Sequence, residues 1–186
     1  MKQAWLFLIL LVSSITAFAA KSQNCNEIKS EQIRLAMLGS NLANINTTRT
    51  PEGGPYQPFQ IKSCSNGGCD VTRDRTPIMK YLPDHPDADA NGYVSYPNAD
   101  KNSDYTAFNM TAAKLRRLGS KKFCTTEVID NGTSVLLKYK PLGSGVKEDI
   151  FNFDKDQKVI SWMRTNQKGQ TSTVNFSSLG DVVSYQ

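Results

Sequence analysis

Apolar positions recur at helical spacing in two separated stretches of this chain and at strand spacing in its tail. From Asn26 to Asn46, the residues Ile28, Leu35, Leu38, Leu42 and Ile45 lie seven, three, four and three positions apart. That is the narrow stripe of a helix that packs against one partner helix. Asn24 or Asn26 can cap its start, and the Thr47-Thr48 pair before Pro51 ends it. A second stripe comprises Tyr105, Phe108, Ala112 and Leu115, with Leu118 beside it, and stops at Gly119. Asn102 or Ser103 is the expected cap there. At the α-helical rise each helix would be roughly 25–30 Å long. Matched lengths and stripes predict an antiparallel two-helix hairpin.

Between the stripes, Pro51 to Pro97 is rich in Pro, Gly, Asn and Asp and poor in apolar runs. Gln57 to Ser63 and Ile78 to Leu82 read as short strands within an otherwise irregular segment. Pro51 fixes φ and Gly53-Gly54 permits positive φ, so residues 51–55 form a compound turn. Arg49 and Glu52 are close enough along the chain to pair across it, a contact that when exposed contributes about 0–1 kcal/mol.

The tail reads as β. Runs rich in Val, Ile, Thr and aromatics span Phe123–Ile129, Ser134–Tyr139, Lys147–Phe153, Lys158–Arg164 and Thr171–Phe176. Turn residues separate them at Asp130–Gly132, Leu142–Gly145, Asp154–Asp156 and Gln167–Gly169. Even spacing predicts an antiparallel meander with one wet face, and Trp162, Phe151 and Phe153 as its core. The fold class is therefore α+β: a helical hairpin, an irregular Pro/Gly-rich middle and a C-terminal β-meander. Whether the sheet packs on the helices or stands apart is open at this level.

Composition changes the picture in two places. With 22 basic and 17 acidic residues the chain is +5 at neutral pH, but the charge is scattered. Its basic clusters, Lys114-Arg116-Arg117 and Lys121-Lys122, lack interleaved aromatics and read as solvated helix ends, so no nucleic-acid partner is expected. The N-terminus reads as a cleavable signal peptide over residues 1–19: Lys2 is basic, Ala4–Val12 is apolar and Ala17-Phe18-Ala19 fits the cleavage rule. That apolar run falls short of the roughly 20 residues a permanent membrane span needs. The expected organisation is then residues 20–122 as a helical unit and 123–186 as a β-rich module. In an exported chain four cysteines predict two disulfides. Cys64 and Cys69 flank a turn-forming tetrad, which leaves Cys25 with Cys124, before the first helix and after the second.

Two segments carry an idiosyncratic wording. The first is SNLANINTTRTPEGGPY, Ser40–Tyr56, which includes Asn41, Asn44, Asn46, Thr47, Thr48, Arg49, Thr50, Pro51, Glu52, Gly53, Gly54, Pro55 and Tyr56. The second is HPDADANGYVSYPN, His85–Asn98, which includes His85, Pro86, Asp87, Asp89, Gly92, Tyr93, Pro97 and Asn98. Together they resemble the flagellar basal-body rod proteins, over roughly Glu27 to Leu118. The resemblance implies a non-enzymatic structural subunit of the basal body, with no cofactor, whose two segments contact other rod subunits or further copies of itself. Rod proteins of this kind lack a cleaved signal and finish with a Ser-x-Arg-x-Tyr-Glu-Ala-Asn helix. Here Ala113–Arg117 stands in that place and a tail runs on to Gln186.

No catalytic constellation is present in the sequence: no nucleophile motif, no second histidine, no phosphate-cradling glycine loop. Asp87-x-Asp89-x-Asn91-Gly92 has the spacing of the first half of a calcium loop, but its twelfth position is Asn98 rather than a bidentate Glu. No metal is expected, and His85 reads as a turn residue. The alternative to a rod subunit is a free periplasmic accessory or binding protein, built on a rod-like core stapled by disulfides and given a new β-module.

Overall fold

The computed structural model describes residues 25–119, 124, 126–139, 146–177 and 182–185. The expected signal peptide and its cleavage point, the Asn24 cap, Lys121-Lys122, the strand start at Phe123 and the Leu142–Gly145 turn lie outside those residues.

Helix α1 occupies residues 25–43 and buries Ile28, Leu35, Leu38 and Leu42, the stripe read from the sequence. Asn26 lies within this helix rather than capping it. Asn44 draws the last turn closed: its backbone N–H and its side-chain amide both donate to the Ser40 carbonyl. The second helix, α2, spans Lys101–Leu118 and buries Tyr105, Phe108, Thr111, Ala112 and Leu115. Its cap is Asp100, not Asn102 or Ser103, because the Asp100 carboxylate accepts from the backbone N–H groups of both those residues. An ionised acceptor at this position also complements the positive end of the helix.

The middle segment is more ordered than its composition suggests. Strands β1 (Phe59–Ser65) and β2 (Gly68–Arg73) form one antiparallel hairpin, and β3 (Ile78–Tyr81) and β4 (Tyr93–Tyr96) another. The first turns through Asn66 and Gly67, both at positive φ, the geometry that keeps a two-residue turn in step with strand twist. Cys64 sits directly across from Cys69 and is bonded to it.

The tail forms one six-stranded antiparallel sheet in the order β10-β9-β8-β7-β6-β5. Its strands are β5 (Thr126–Asp130), β6 (Ser134–Tyr139), β7 (Val146–Phe153), β8 (Val159–Asn166), β9 (Thr171–Phe176) and β10 (Val182–Tyr185). Phe151, Phe153, Trp162, Val174 and Phe176 are buried in the same cluster as both helical stripes, so sheet and helices share one core. Phe108 of α2 is at its centre, with ring centroids 5.8 Å from Phe151, 6.1 Å from Trp162 and 5.6 Å from Phe176. Two polar contacts fix the register: the Tyr105 hydroxyl donates to the Val159 carbonyl at 2.9 Å, and Val159 N–H donates to Asn109 Oδ1 at 2.6 Å. Asp149 is buried beneath Trp162 and Arg164, accepting from the indole N–H and from two guanidinium nitrogens.

Lys114 near the end of α2 pairs with Glu27 and Glu31 near the start of α1, at 3.0 and 2.7 Å. The Cys25–Cys124 bond ties the start of α1 to the residue just before β5. Both disulfides join the cysteines that the sequence reading pairs. Among the described residues, no helix is long and apolar enough to cross a membrane.

Candidate interaction site

Asn41 is the hub of the first signature segment. Its side chain is buried and uses every hydrogen-bonding position that an amide has. Nδ2 donates to the Phe59 carbonyl at 2.9 Å and to Asp104 Oδ2 at 3.1 Å. Oδ1 accepts from Phe59 N–H at 2.8 Å and from the Tyr56 hydroxyl at 3.2 Å. One residue at the end of α1 thereby holds β1, the connector and the first turn of α2. Burial pushes the Asp104 carboxyl above the usual carboxylate range; the hydrogen bond from Asn41 opposes that shift and the nearby Asp100 charge adds to it.

The compound turn forms between Thr50 and Gly54. Thr50 N–H donates to the Gly54 carbonyl and Gly53 N–H to the Thr50 carbonyl, with Gly53 and Gly54 at φ of 92° and 71°. Thr47 closes the loop by donating its backbone N–H to the Asn44 carbonyl and accepting from Tyr56 N–H. The pairing expected between Arg49 and Glu52 does not form. Arg49 instead reaches Asp87 of the second segment, Nη2 to Oδ1 at 2.7 Å, and Thr48 donates its hydroxyl to the other Asp87 oxygen at 2.7 Å. A distant carboxylate held by two partners outcompetes an exposed glutamate three residues away. The two signature segments are thus joined to each other.

The second segment is a wound turn. Asp89 Oδ1 accepts from the backbone N–H groups of Asn91 and Tyr93, and His85 Nδ1 accepts from Asp87 N–H. Asp87 and Asp89, two of the candidate calcium ligands, are therefore used by the protein itself. Among the described residues no group of three or more His, Cys, Asp or Glu side chains is arranged to hold a metal ion. Gly92 has φ of 81°, and a Cβ there would fall 2.8 Å from the Tyr81 ring, so both conformation and space require glycine. Pro97 is buried beside the hairpin, and exposed Asn98 donates to Asp74 at 3.0 Å. Pro86, Pro51, Glu52 and Asn46 are exposed, Pro55 half-buried, and none of the five holds another segment by a side-chain hydrogen bond.

This scaffold presents the β3–β4 hairpin. In an antiparallel pair, directly opposed residues share a face. Met79 opposes Ser95 and Tyr81 opposes Tyr93, while the other face carries Ile78, Lys80, Tyr96 and the fully buried Val94. The Tyr81 and Tyr93 rings meet edge to face at 5.3 Å. Ile78, Met79, Tyr81, Leu82 and Tyr93 are all exposed, Tyr81 by 63%. Sequence reading placed Tyr93 in the site but missed β4 and this platform; the alternation of Tyr93, Val94, Ser95 and Tyr96 was the available signal.

Comparison with known proteins gives the kinship. The family described as flagella basal body rod protein has a model that matches residues 29–49, the α1 stripe through Arg49. The flagellar basal-body rod protein FlgC of Escherichia coli O6:H1 is 32% identical over 121 residues, covering 59% of this chain and 85% of that protein. The protein of the same name from Borreliella burgdorferi is 30% identical over 101 residues, covering 39% of this chain and 66% of its own length. That from Bacillus subtilis is 28% identical over 113 residues, covering 46% and 75%. This chain belongs to the flagellar basal-body rod protein family, close to the members named FlgC, a family of structural and not catalytic proteins.

Proposed function

We propose that this protein is a structural subunit of the flagellar basal body whose contact face is the β3–β4 hairpin, held in place by the two signature segments. The observation that carries the reading is the concentration of exposed apolar side chains on this hairpin, with Met79, Tyr81 and Tyr93 together on one face. Exposed apolar patches on an otherwise well-packed chain mark interaction surfaces. The Arg49–Asp87–Thr48 link ties the loop between β3 and β4 to the segment that follows α1 and leaves that face exposed. Its occupant is a neighbouring rod subunit or a second copy of the chain.

In the same proposal α1 and α2 run antiparallel as one rod-like unit over residues 20–122, and residues 123–186 form an added module. Pairing of Lys114 with Glu27 and Glu31 at one end, and of Asn41 with Asp104 at the other, supports that arrangement. The chain is exported by a cleavable signal peptide and works in the periplasmic part of the flagellum, a reading supported by residues 1–19 and by two disulfides. Photo-crosslinking from Tyr81 in the assembled organelle tests the contact face. Cross-links to rod subunits or to the chain itself are expected, and their absence with a probe at Tyr81 but presence at Met110 on α2 would move the interface elsewhere.

The added sheet favours a second reading, a free periplasmic accessory protein built on the same core, because both helical stripes are already buried within one chain.

A further inference from the structure

Gly39 lies inside α1, where glycine costs roughly 1 kcal/mol of helix stability relative to alanine. Its place is explained by Trp162. A Cβ at Gly39 would lie 2.3 Å from Cζ3, 2.7 Å from Cε3 and 2.9 Å from Cη2 of the indole. The six-membered ring of Trp162 therefore fills the volume of the missing side chain and rests on bare helix backbone. The indole is itself held rigidly. Its N–H donates to buried Asp149, the Arg164 guanidinium closes on the same carboxylate, and the ring stacks on Phe151 with 7° between planes. A rigid aromatic anchor from β8 is thus seated in a socket on the helix.

What the sheet covers is the apolar stripe of both helices. Leu35, Leu38 and Leu42 of α1 and Phe108, Ala112 and Leu115 of α2 are buried in one cluster with the inner face of the sheet. Narrow stripes of this spacing are those with which helices pack on other helices. The Escherichia coli relative is matched over 85% of its length by 59% of this chain, so a larger share of this chain than of that protein lies outside the match. The cover is also tethered, since Cys124, just before β5, is bonded to Cys25 at the start of α1.

We infer that the C-terminal sheet is an intramolecular cover, anchored by Trp162 in the Gly39 socket, that keeps the helical stripes from packing on the helices of a second copy of this chain. Association through the β3–β4 hairpin is left open, so the inference goes beyond the subunit reading and stands or falls separately from it.

The test uses the full chain with both disulfides, in a Tyr81→Ser/Tyr93→Ser background that silences the hairpin. Sedimentation velocity over a wide concentration range, far-UV circular dichroism and amide exchange are recorded. The background protein is expected to sediment as a monomer. Gly39→Val wedges the socket without removing any apolar side chain. It should shift sedimentation from monomer to dimer or larger with rising concentration and accelerate exchange in β8 and β9, with helical signal retained. The double variant Gly39→Ala/Trp162→Leu, in which a smaller anchor meets a smaller wedge, should return towards monomer. If Gly39→Val loses its helical signal, Trp162→Ala, which leaves α1 untouched, carries the same expectation. A background protein that self-associates, or an opened and helical variant that stays monomeric at every concentration, overturns the inference.

Discussion

Replacing Asn41 separates the hub from everything it holds. The side chain makes four hydrogen bonds and is 1% exposed. In Asn41→Ala the Tyr56 hydroxyl keeps its 2.9 Å contact with Ser40 Oγ, so its loss is small. Phe59 loses partners for both its N–H and its carbonyl. A buried group left unsatisfied costs about 1–3 kcal/mol, and the half-buried position of Phe59 lets water recover part of that. The expected loss is about 2–4 kcal/mol, and each ~1 kcal/mol corresponds to roughly 2–4 °C of melting temperature at this chain length. Asn41→Asp is the sharper perturbation, because it is isosteric. It keeps the acceptor for Phe59 N–H and Tyr56, but sets a carboxylate oxygen where Nδ2 now lies 3.1 Å from Asp104 Oδ2. Two carboxylates that close share one proton, and the second ionisation is strongly raised. A carboxyl whose folded pKa is raised gains stability for the fold as pH falls through that pKa. Asn41→Asp should therefore be less stable than Asn41→Ala at neutral pH and recover in acid. Wild-type Asp104, raised mainly by burial, should show the same trend more weakly. Urea unfolding at neutral and mildly acidic pH reads both effects. An alanine variant within about 0.5 kcal/mol of wild type, the range of ordinary surface substitutions, would refute the hub, as would an aspartate variant insensitive to pH.

Three further outcomes follow from separate parts of the structure. Asp87→Ala removes the joint between the signature segments; because Arg49 is 69% exposed, stability should fall by only about 1 kcal/mol, while amide exchange across residues 85–98 accelerates. Unchanged exchange there would show that the joint does not order the turn. Converting Cys25 and Cys124 to serine opens a separation of 99 residues and should cost up to about 4.7 kcal/mol, against roughly 2 kcal/mol for Cys64 and Cys69, in the chain-entropy account; a reversed order in chemical denaturation would contradict it. Lys114 is held above its ordinary pKa of 10.5, first by its hydrogen bond to Glu31. Its contribution is present below that value and lost as pH rises through the higher folded one, so Lys114→Met should flatten the alkaline end of the stability profile read by urea unfolding.

The parts of this molecule legible in sequence are those set by periodicity. Ile28, Leu35, Leu38 and Leu42 announce a buried stripe by spacing alone, and Trp162, Phe151 and Phe153 announce a core by size and alternation. The disulfides were legible because only one cysteine pair was close along the chain. What was not legible depends on competition between distant groups. Arg49 chose Asp87 over Glu52, and Asp100 outbid the amide of Asn102 and the hydroxyl of Ser103 as the α2 cap. Strand β2 has only Cys69 and Val71 as apolar residues, and β4 and β10 are four residues each, so their alternation is brief. Of the candidate site, the two segments could be found from their wording, but the apolar face they present could not, because β3 is exposed on both sides and offers no burial pattern.

We propose this chain as a built-in part of the flagellar basal body that docks through its hairpin. The most direct measurement is quantitative mass spectrometry of basal bodies purified from cells carrying either the wild-type chain or the Tyr81→Ser/Tyr93→Ser variant, at matched export levels. The wild-type chain is expected in fixed proportion to the other rod subunits, and the hairpin variant is expected to be depleted. Wild-type protein absent from the purified organelle, in cells that remain motile when the chain is deleted, would contradict it.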